Sequence, residues 1–315
     1  MFVENLFENL LSPERPIYIG LSGGVDSVFL AFMVNKLAKK WGVELHAIHV
    51  NHGLSPKAMH WEKFVSAFCK DHDISLRIER LKLNINPGDS IEAVARSARY
   101  QAFDQLSESG AQICTGHHQD DQLETMLLAL KRGGGGLRLG GMKASIDLPN
   151  GKSLVRPLLS VPRQVIQEEA LALGLTWIED ESNQDNAFDR NFLRNEIIPL
   201  LKERWPGLLS SASRTASTLQ SEQVIIAIHA DQILSRCMND QRALLICELD
   251  SLHIEERKLA IRHWIRLHGC VPAREDLLEK IFLEVAKARP DRKPEFRANG
   301  WCIQRSGNCL VITPG

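Results

Sequence analysis

The chain has 315 residues, of which 44% are hydrophobic and 24% charged. These proportions exclude a disordered tail, a collagen-like repeat and a disulfide scaffold, and the length suits about two domains. Lys and Arg number 38 against 39 Asp and Glu, a net charge of −1, which argues against a polycationic binder but leaves room for a local basic patch.

Residues 1–15 carry Glu4, Glu8 and Glu14 and no basic n-region, unlike a signal peptide. No apolar run approaches the ~20 residues of a membrane span. The cysteines are Cys69, Cys114, Cys237, Cys247, Cys270, Cys302 and Cys309, and no two are spaced Cys-x-x-Cys. Zinc ribbons and thioredoxin motifs therefore have no support, and a reducing, cytoplasmic location is expected.

In chain order, Ile17–Leu21 reads as a strand and Val25–Lys40 as a helix. Glu44–Val50 is strand-like, Lys57–His72 helical, and Leu76–Leu83 alternates. Ser90–Leu106 is helical, with Asp89 and Glu92 at capping-box spacing. Ala111–Thr115 is a short apolar run, and Gln119–Lys131 is helical. Strands alternating with helices predict a parallel sheet covered on both faces, with right-handed crossovers. The glycine-rich stretch Gly133–Gly141 breaks the pattern and is expected to be a mobile lid. Trp205-Pro206-Gly207 is the candidate boundary, giving domains 1–205 and 206–315. Beyond it, Leu208–Leu234 reads as one long helix or two, Ile254–His268 and Arg274–Ala288 as helices, and Trp301–Thr313 as a closing hairpin. Apolar faces such as that of Leu208–Leu234 could serve a homodimer as readily as a core.

The sharpest motif is Ser22-Gly23-Gly24-Val25-Asp26-Ser27, where a strand should end and a helix begin. Gly23 and Gly24 let backbone N–H groups approach an anion, and the helix N-terminus adds dipole attraction for phosphate. Ser22 and Ser27 can donate hydroxyl hydrogen bonds, and Asp26 can hold Mg2+ against phosphate charge. The lysine of a Walker A loop is missing. Three further motifs lie at strand C-termini or on the next helix. They are His49-Val50-Asn51-His52-Gly53-Leu54-Ser55, Ala95-Arg96-Ser97-Ala98-Arg99-Tyr100, and the run from Gly116-His117-His118 through Asp120-Asp121 to Glu124-Thr125. Open α/β sheets bind ligands at that edge.

The hexapeptide resembles the PP-loop of the N-type ATP pyrophosphatases, which cleave ATP between its α- and β-phosphates and leave an adenylated intermediate. Taken with the other motifs, and with Arg132-Gly133, Met142, Arg156-Pro157-Leu158-Leu159, Asp180-Glu181-Ser182-Asn183, Arg190–Arg194 and Ile198-Pro199-Leu200, the chain resembles the tRNA-isoleucine lysidine synthetase family over residues 15 to 205. Pro272-Ala273-Arg274 and the closing Trp301–Ile312 segment are similar to that family's first C-terminal domain. The resemblance implies a Rossmann-like α/β PP-loop domain followed by a smaller, mainly helical domain. It implies ATP and Mg2+, free L-lysine, and an isoleucine tRNA with a CAU anticodon. ATP would adenylate the oxygen at position 2 of the wobble cytidine, and the lysine amine would then displace AMP.

Under that reading Ser22, Gly23, Gly24, Val25, Asp26, Ser27, His49 and His117 bind the nucleotide, with Asp26 on the metal. Asp121 is the carboxylate that serves the lysine amine as base or anchor, and it reads equally as a first-turn helix acid. Arg96 and Arg99, three apart on one helix face, would neutralise the α-phosphate or hold the tRNA backbone, and they read also as a solvated face. Arg190 would act from the other side, and Arg194, four residues on, would meet tRNA. Lys258, Arg262 and Arg266 form a basic stripe, and Arg289, Arg292, Lys293 and Arg297 a second cluster, either of which could hold tRNA phosphates. Arg138 stands where the family pattern has a third glycine, so strain at positive φ is a concern there. Two alternatives remain. A tRNA 2-thiolating enzyme shares the loop but uses reactive or cluster-binding cysteines, of which only Cys114 falls near the site. A tRNA-binding protein that has lost catalysis would not need the intact loop and Asp121.

Overall fold

The computed structural model describes residues 2–83, 86, 90–272, 274–289, 294–298 and 300–314. Asp89 of the expected capping box, Ala273, and Arg292 and Lys293 of the second basic cluster lie outside the described residues. The chain divides into two compact units, 1–220 and 221–315. Among the described residues no helix is long and apolar enough to cross a membrane.

The first unit opens with α1 (Phe2–Glu8), β1 (Ile17–Gly20), α2 (Val25–Trp41), β2 (Leu45–Asn51), α3 (Ala58–Asp71) and β3 (Ser75–Arg80). It continues with α4 (Ile91–Leu106), β4 (Gln112–Cys114), α5 (Gln119–Lys131), the single turn α6 (Gly136–Leu139), β5 (Ser145–Asp147), β6 (Ser153–Val155) and α7 (Arg163–Ala172). Ser90 caps α4, its hydroxyl accepting from the Ala93 N–H. The sheet order is β3-β2-β1-β4-β6-β5, parallel throughout except for β5, which runs antiparallel to β6. Alternation along β1 sends Ile17 and Ile19 into a core with α2, α3 and α7, while Tyr18 joins Ile48, Phe103 and Ile113 on the α4 face. Both faces are therefore covered, as parallel sheets require. Connections leave β1 in one direction to β2 and β3, and β4 lies on its other side. The loops after β1 and β4 thus flank the point where strand order reverses, which is the ligand crevice of open α/β sheets.

Two short helices, α8 (Asp189–Phe192) and α9 (Ile198–Arg204), are joined by a π-helical turn, Leu193–Ile197. Pro199 in the first turn of α9 has no N–H for the carbonyl four residues back, which accounts for the widened turn before it. The helix α10 (Leu208–Cys237) is one unbroken element of 30 residues.

In the second unit the C-terminal part of α10 is followed by β7 (Leu244–Leu245), α11 (Ile246–Ser251), α12 (Ile254–Leu267) and α13 (Glu275–Lys280). A π-helical turn, Ile281–Ala286, then leads to β8 (Glu295–Ala298), β9 (Trp301–Ser306) and β10 (Cys309–Pro314). The expected hairpin is real but is the centre of a four-stranded antiparallel sheet, β7-β10-β9-β8. Its core holds Ile261, Trp264, Phe282, Trp301 and Leu310. Each buried indole N–H is satisfied, Trp264 by the Arg242 carbonyl at 2.7 Å and Trp301 by that of Val271 at 2.8 Å.

Candidate active site

The loop from Ser22 to Ser27 joins β1 to α2. Gly23 has φ +96°, and a Cβ there would also meet Ile178 at 3.0 Å, so glycine is needed on both counts. Ser27 closes the turn. Its Oγ accepts from the N–H of Ser22 at 3.2 Å and of Gly23 at 3.1 Å, and donates to the Gly24 carbonyl at 2.9 Å. The first N–H groups of α2 have no intrahelical acceptor and are the donors left for an anion. His49 is buried at the end of β2 and donates from Nδ1 to the Leu21 carbonyl at 2.8 Å. Burial lowers its pKa, so this imidazole braces the loop as a neutral ring.

The loop after β4 presses against this turn. A Cβ on Gly116 would lie 3.0 Å from both the carbonyl carbon and oxygen of Asp26. His118 and Asp121 then cap α5 reciprocally: the His118 N–H donates to Asp121 Oδ2 at 3.0 Å, and the Asp121 N–H to His118 Nδ1 at 3.3 Å. With Nδ1 accepting, the ring proton falls on Nε2, which lies 3.4 Å from Asp121 Oδ2 and 3.7 Å from Asp26 Oδ2. One imidazole thus stands between the loop aspartate and Asp121.

Arginines complete the surroundings. Arg194 donates to Asp121 Oδ1 at 3.0 Å, and Arg190 lies 3.8 Å from the same oxygen. Both guanidiniums also grip Glu124, which is fully buried, each through Nε at 2.7 Å. Arg194, expected at the tRNA backbone, therefore shares its charge with these two carboxylates. Burial alone would raise the Asp121 pKa, but His118, His117, Arg190 and Arg194 outweigh it and hold the carboxyl at about 2. Neighbouring Asp120 faces away, accepting from the Arg163 N–H at 2.8 Å and from Lys202 at 3.0 Å. Burial raises the Asp26 pKa, and its Oδ1 is buried without a partner. Such an orphaned oxygen fits one protein ligand of a magnesium ion whose other ligands are phosphate and water. Among the described residues no group of three or more His, Cys, Asp or Glu forms an all-protein metal site.

Beyond Asp121, His117 is half-buried and bonded to Thr115 Oγ1 at 2.9 Å, and burial drops its pKa to about 3. Arg96 and Arg99 project from α4 over the Tyr100 ring at 5.2 and 5.7 Å. Cys114 is fully buried beneath the site, and its thiol is pushed up to about 12 by that burial, so it is no ready thiolate. In the glycine-rich segment Arg138 lies within α6, and the positive φ values fall on Gly133 and Gly141, so the arginine is unstrained. The segment is anchored at its end, where the buried Gln122 amide clamps both backbone groups of Met142 at 2.7 and 3.0 Å.

In the second unit Lys258 pairs with Glu255 at 2.9 Å and Arg262 with Glu275, so that stripe is partly neutralised from within.

The sequence motifs contain Glu124 and Arg156 without giving either a role, and Arg163 lies outside them. The signal for Glu124 was present: it lies three residues after Asp121, and Arg190 and Arg194 are spaced to meet two carboxylates on one helix face.

A nucleotide-loop turn of this type at the reversal point of a parallel sheet defines a PP-loop protein, and residues 2–201 match the PP-loop domain family. Residues 244–311 match the TilS substrate binding domain. A tRNA(Ile)-lysidine synthase from Vibrio atlanticus is 39% identical over 323 residues, covering 99% of this chain and 70% of that protein. One from Shigella flexneri is 40% identical over 297 residues, covering 94% and 68%. The chain belongs to the tRNA(Ile)-lysidine synthase family. Among solved structures, a U34-tRNA thiolase from Methanococcus maripaludis with its [4Fe-4S] cluster shares the fold, with a TM-score of 0.59 at 20% identity, covering 69% of this chain and 78% of that one.

Proposed function

We propose that this protein ligates free lysine onto position 2 of the wobble cytidine of an isoleucine tRNA with a CAU anticodon, through an adenylated cytidine. The cytosine oxygen attacks the α-phosphorus and pyrophosphate leaves. The lysine ammonium gives one proton to bulk water, the neutral amine attacks the activated ring carbon, and AMP departs with the oxygen and its bonding electron pair. Residues 1–205 carry the chemistry, and residues 206–315 take part in holding the tRNA, with Lys258, Arg262 and Arg266 as phosphate contacts.

The observation that carries this reading is the single His118 ring between Asp26 and Asp121. It sets the nucleotide loop beside a fixed carboxylate, so the adenylated cytidine and a lysine held first as its ammonium can be brought together there. A carboxyl with pKa about 2 is a weak base at neutral pH. Asp121 therefore anchors the lysine by charge and orients it, and Arg190 and Arg194 hold Asp121 in place. Asp26 would hold the magnesium ion, which when bound supplies charge neutralisation along the phosphates. His49 supports the loop, and neutral His117 stands ready to accept a hydrogen bond from the nucleotide or the cytidine.

The test is incubation with labelled lysine, ATP and the CAU-anticodon isoleucine tRNA. Label should enter the tRNA in step with AMP release, and not enter an elongator methionine tRNA. No incorporation into the isoleucine tRNA refutes the proposal.

A further inference from the structure

Two sets of arginines flank Asp121, and only one is neutralised. Arg190 and Arg194 sit on Glu124 and Asp121, and Arg163 Nε is 3.7 Å from Asp26. Among the described residues Arg96, Arg99 and Arg156 make no ion pair. They meet instead on one phenol. Arg96 Nη2 is 3.4 Å from the Tyr100 hydroxyl, Arg96 and Arg99 lie over its ring, and the Arg156 guanidinium is beside it. Arg156 is only 5% exposed; one Nη donates to the Lys143 carbonyl at 2.7 Å, and its buried Nε has no partner. Burial and the charge of Arg96 both weigh against the cations of Arg99 and Arg156. Neighbouring guanidiniums, one buried and two half-buried, with donors unspent, are costly unless an anion completes them.

Three planar forks, two from α4 and one from the end of β6, suit a tetrahedral phosphate better than a flat carboxylate. The nucleotide loop has its own cations. The strongest charges on Asp26 are those of His118, Arg163, Asp121 and Arg194. Arg96, Arg99 and Arg156 all act on His117, and Arg99 acts also on Asp121 and His52. A substrate nucleotide whose base reaches the α-phosphate past Asp121 brings its own backbone phosphates with it, and an arginine group beside Asp121 is placed to receive one.

We propose that Arg96, Arg99 and Arg156, gathered on Tyr100, form a receptor for a backbone phosphodiester next to the modified nucleotide, separate from the ATP phosphate site at residues 22–27. This rests on the function proposed above and decides between the two roles open to Arg96 and Arg99. Arg156 is both the third arm of the receptor and the residue that ties Tyr100 to the segment preceding β5, through the Lys143 carbonyl.

The experiment measures binding of the tRNA anticodon stem-loop to the full chain across a range of KCl, with ATP affinity measured in parallel. Arg99→Gln should weaken RNA binding about tenfold and flatten the log–log salt slope by about 0.7, the value for one single-stranded phosphate contact, leaving ATP affinity unchanged. Arg156→Lys keeps the charge but loses the fork, so the slope should hold while affinity falls. Arg163→Gln should show the reverse pattern, losing ATP and sparing RNA. A stem-loop with a methylphosphonate beside the wobble cytidine should bind wild type as weakly as the native RNA binds Arg99→Gln, and lose nothing more in that variant. Unchanged RNA affinity and slope in Arg99→Gln, or loss of ATP binding with RNA binding intact, overturns the receptor. Among the described residues Arg99 donates no hydrogen bond, so its variant should unfold at the wild-type temperature even if Arg156→Lys does not. A wild-type protein that binds the stem-loop with the stated slope yet attaches no lysine refutes the activity and supports the receptor.

Discussion

Asp121 gives one oxygen to the N-cap of α5 and the other to Arg194, and the helix acid and the reactive carboxylate are the same group. Capping places it, and charge keeps it ionised. Asp121→Asn retains an oxygen able to accept the His118 N–H but removes the charge. It should therefore lower lysine attachment by at least about a hundredfold, the scale of losing a preorganised electrostatic contact, while ATP binding and the circular-dichroism spectrum persist. Labelled-lysine turnover and ATP titration check this together. His117 allows a linkage prediction. Its pKa is 6.5 in the free chain and about 3 in the folded site. Above pH 6.5 both states are neutral. Below it the unfolded chain takes up a proton that the folded site refuses until about pH 3, so stability falls with acid. Between pH 7.5 and 5 the loss amounts to about 2 kcal/mol. Denaturant titrations of wild type against His117→Asn should show that fraction of the acid sensitivity disappearing in the variant.

At the scale of elements, the α8–α9 segment is docked on α5 by charge. Glu124 has no exposed surface and accepts from two guanidiniums. Glu124→Gln leaves those cations half-compensated in a buried place and should cost about 3 kcal/mol in urea unfolding, with catalysis falling because Arg190 and Arg194 lose their register. Gly116 makes the other junction. Gly116→Ala would drive the loop after β4 away from Asp26 and should weaken ATP binding more than it lowers the unfolding temperature, which calorimetric titration can separate. These junctions explain what was legible in the sequence. Long periodic segments such as α2 and α5, and the glycine turn after β1, declare themselves through local pattern. So does the placement of the motifs at strand ends. The strands β5 and β6, three residues each, are too short for any period to register, and β8 is only four. Spacing offers Arg190 and Arg194 to a pair of carboxylates on one helix face, but that the pair is on α5 follows only from the fold, since Arg194 and Glu124 are 70 residues apart. Arg138 looked strained against a family pattern, and α6 removes the strain by turning the segment helical.

At the scale of the molecule, the question is where the catalytic unit can be cut. Composition marks Trp205-Pro206-Gly207, whereas the compact units part after Gln220, inside α10. The reason lies in what the first turns of α10 cover. Leu209 and Ala212 share a buried cluster with Leu123 of α5 and Ile198 of α9. Gln220 donates to the carbonyls of Gly140 and Met142 at 2.6 and 3.0 Å, holding the end of the glycine-rich segment. A fragment ending at residue 205 exposes Leu123, the residue two positions after Asp121, and removes the apolar cover of Leu209, alone worth about 2 kcal/mol. A fragment ending at residue 220 keeps both. Fragment 1–220 should therefore unfold cooperatively and bind ATP with near wild-type affinity, while 1–205 should melt lower and bind ATP more weakly. Calorimetric scans and ATP titrations of the two fragments decide it. Equal melting of the two would mean that α10 belongs wholly to the second unit and that the cluster around Leu123 does not support the site.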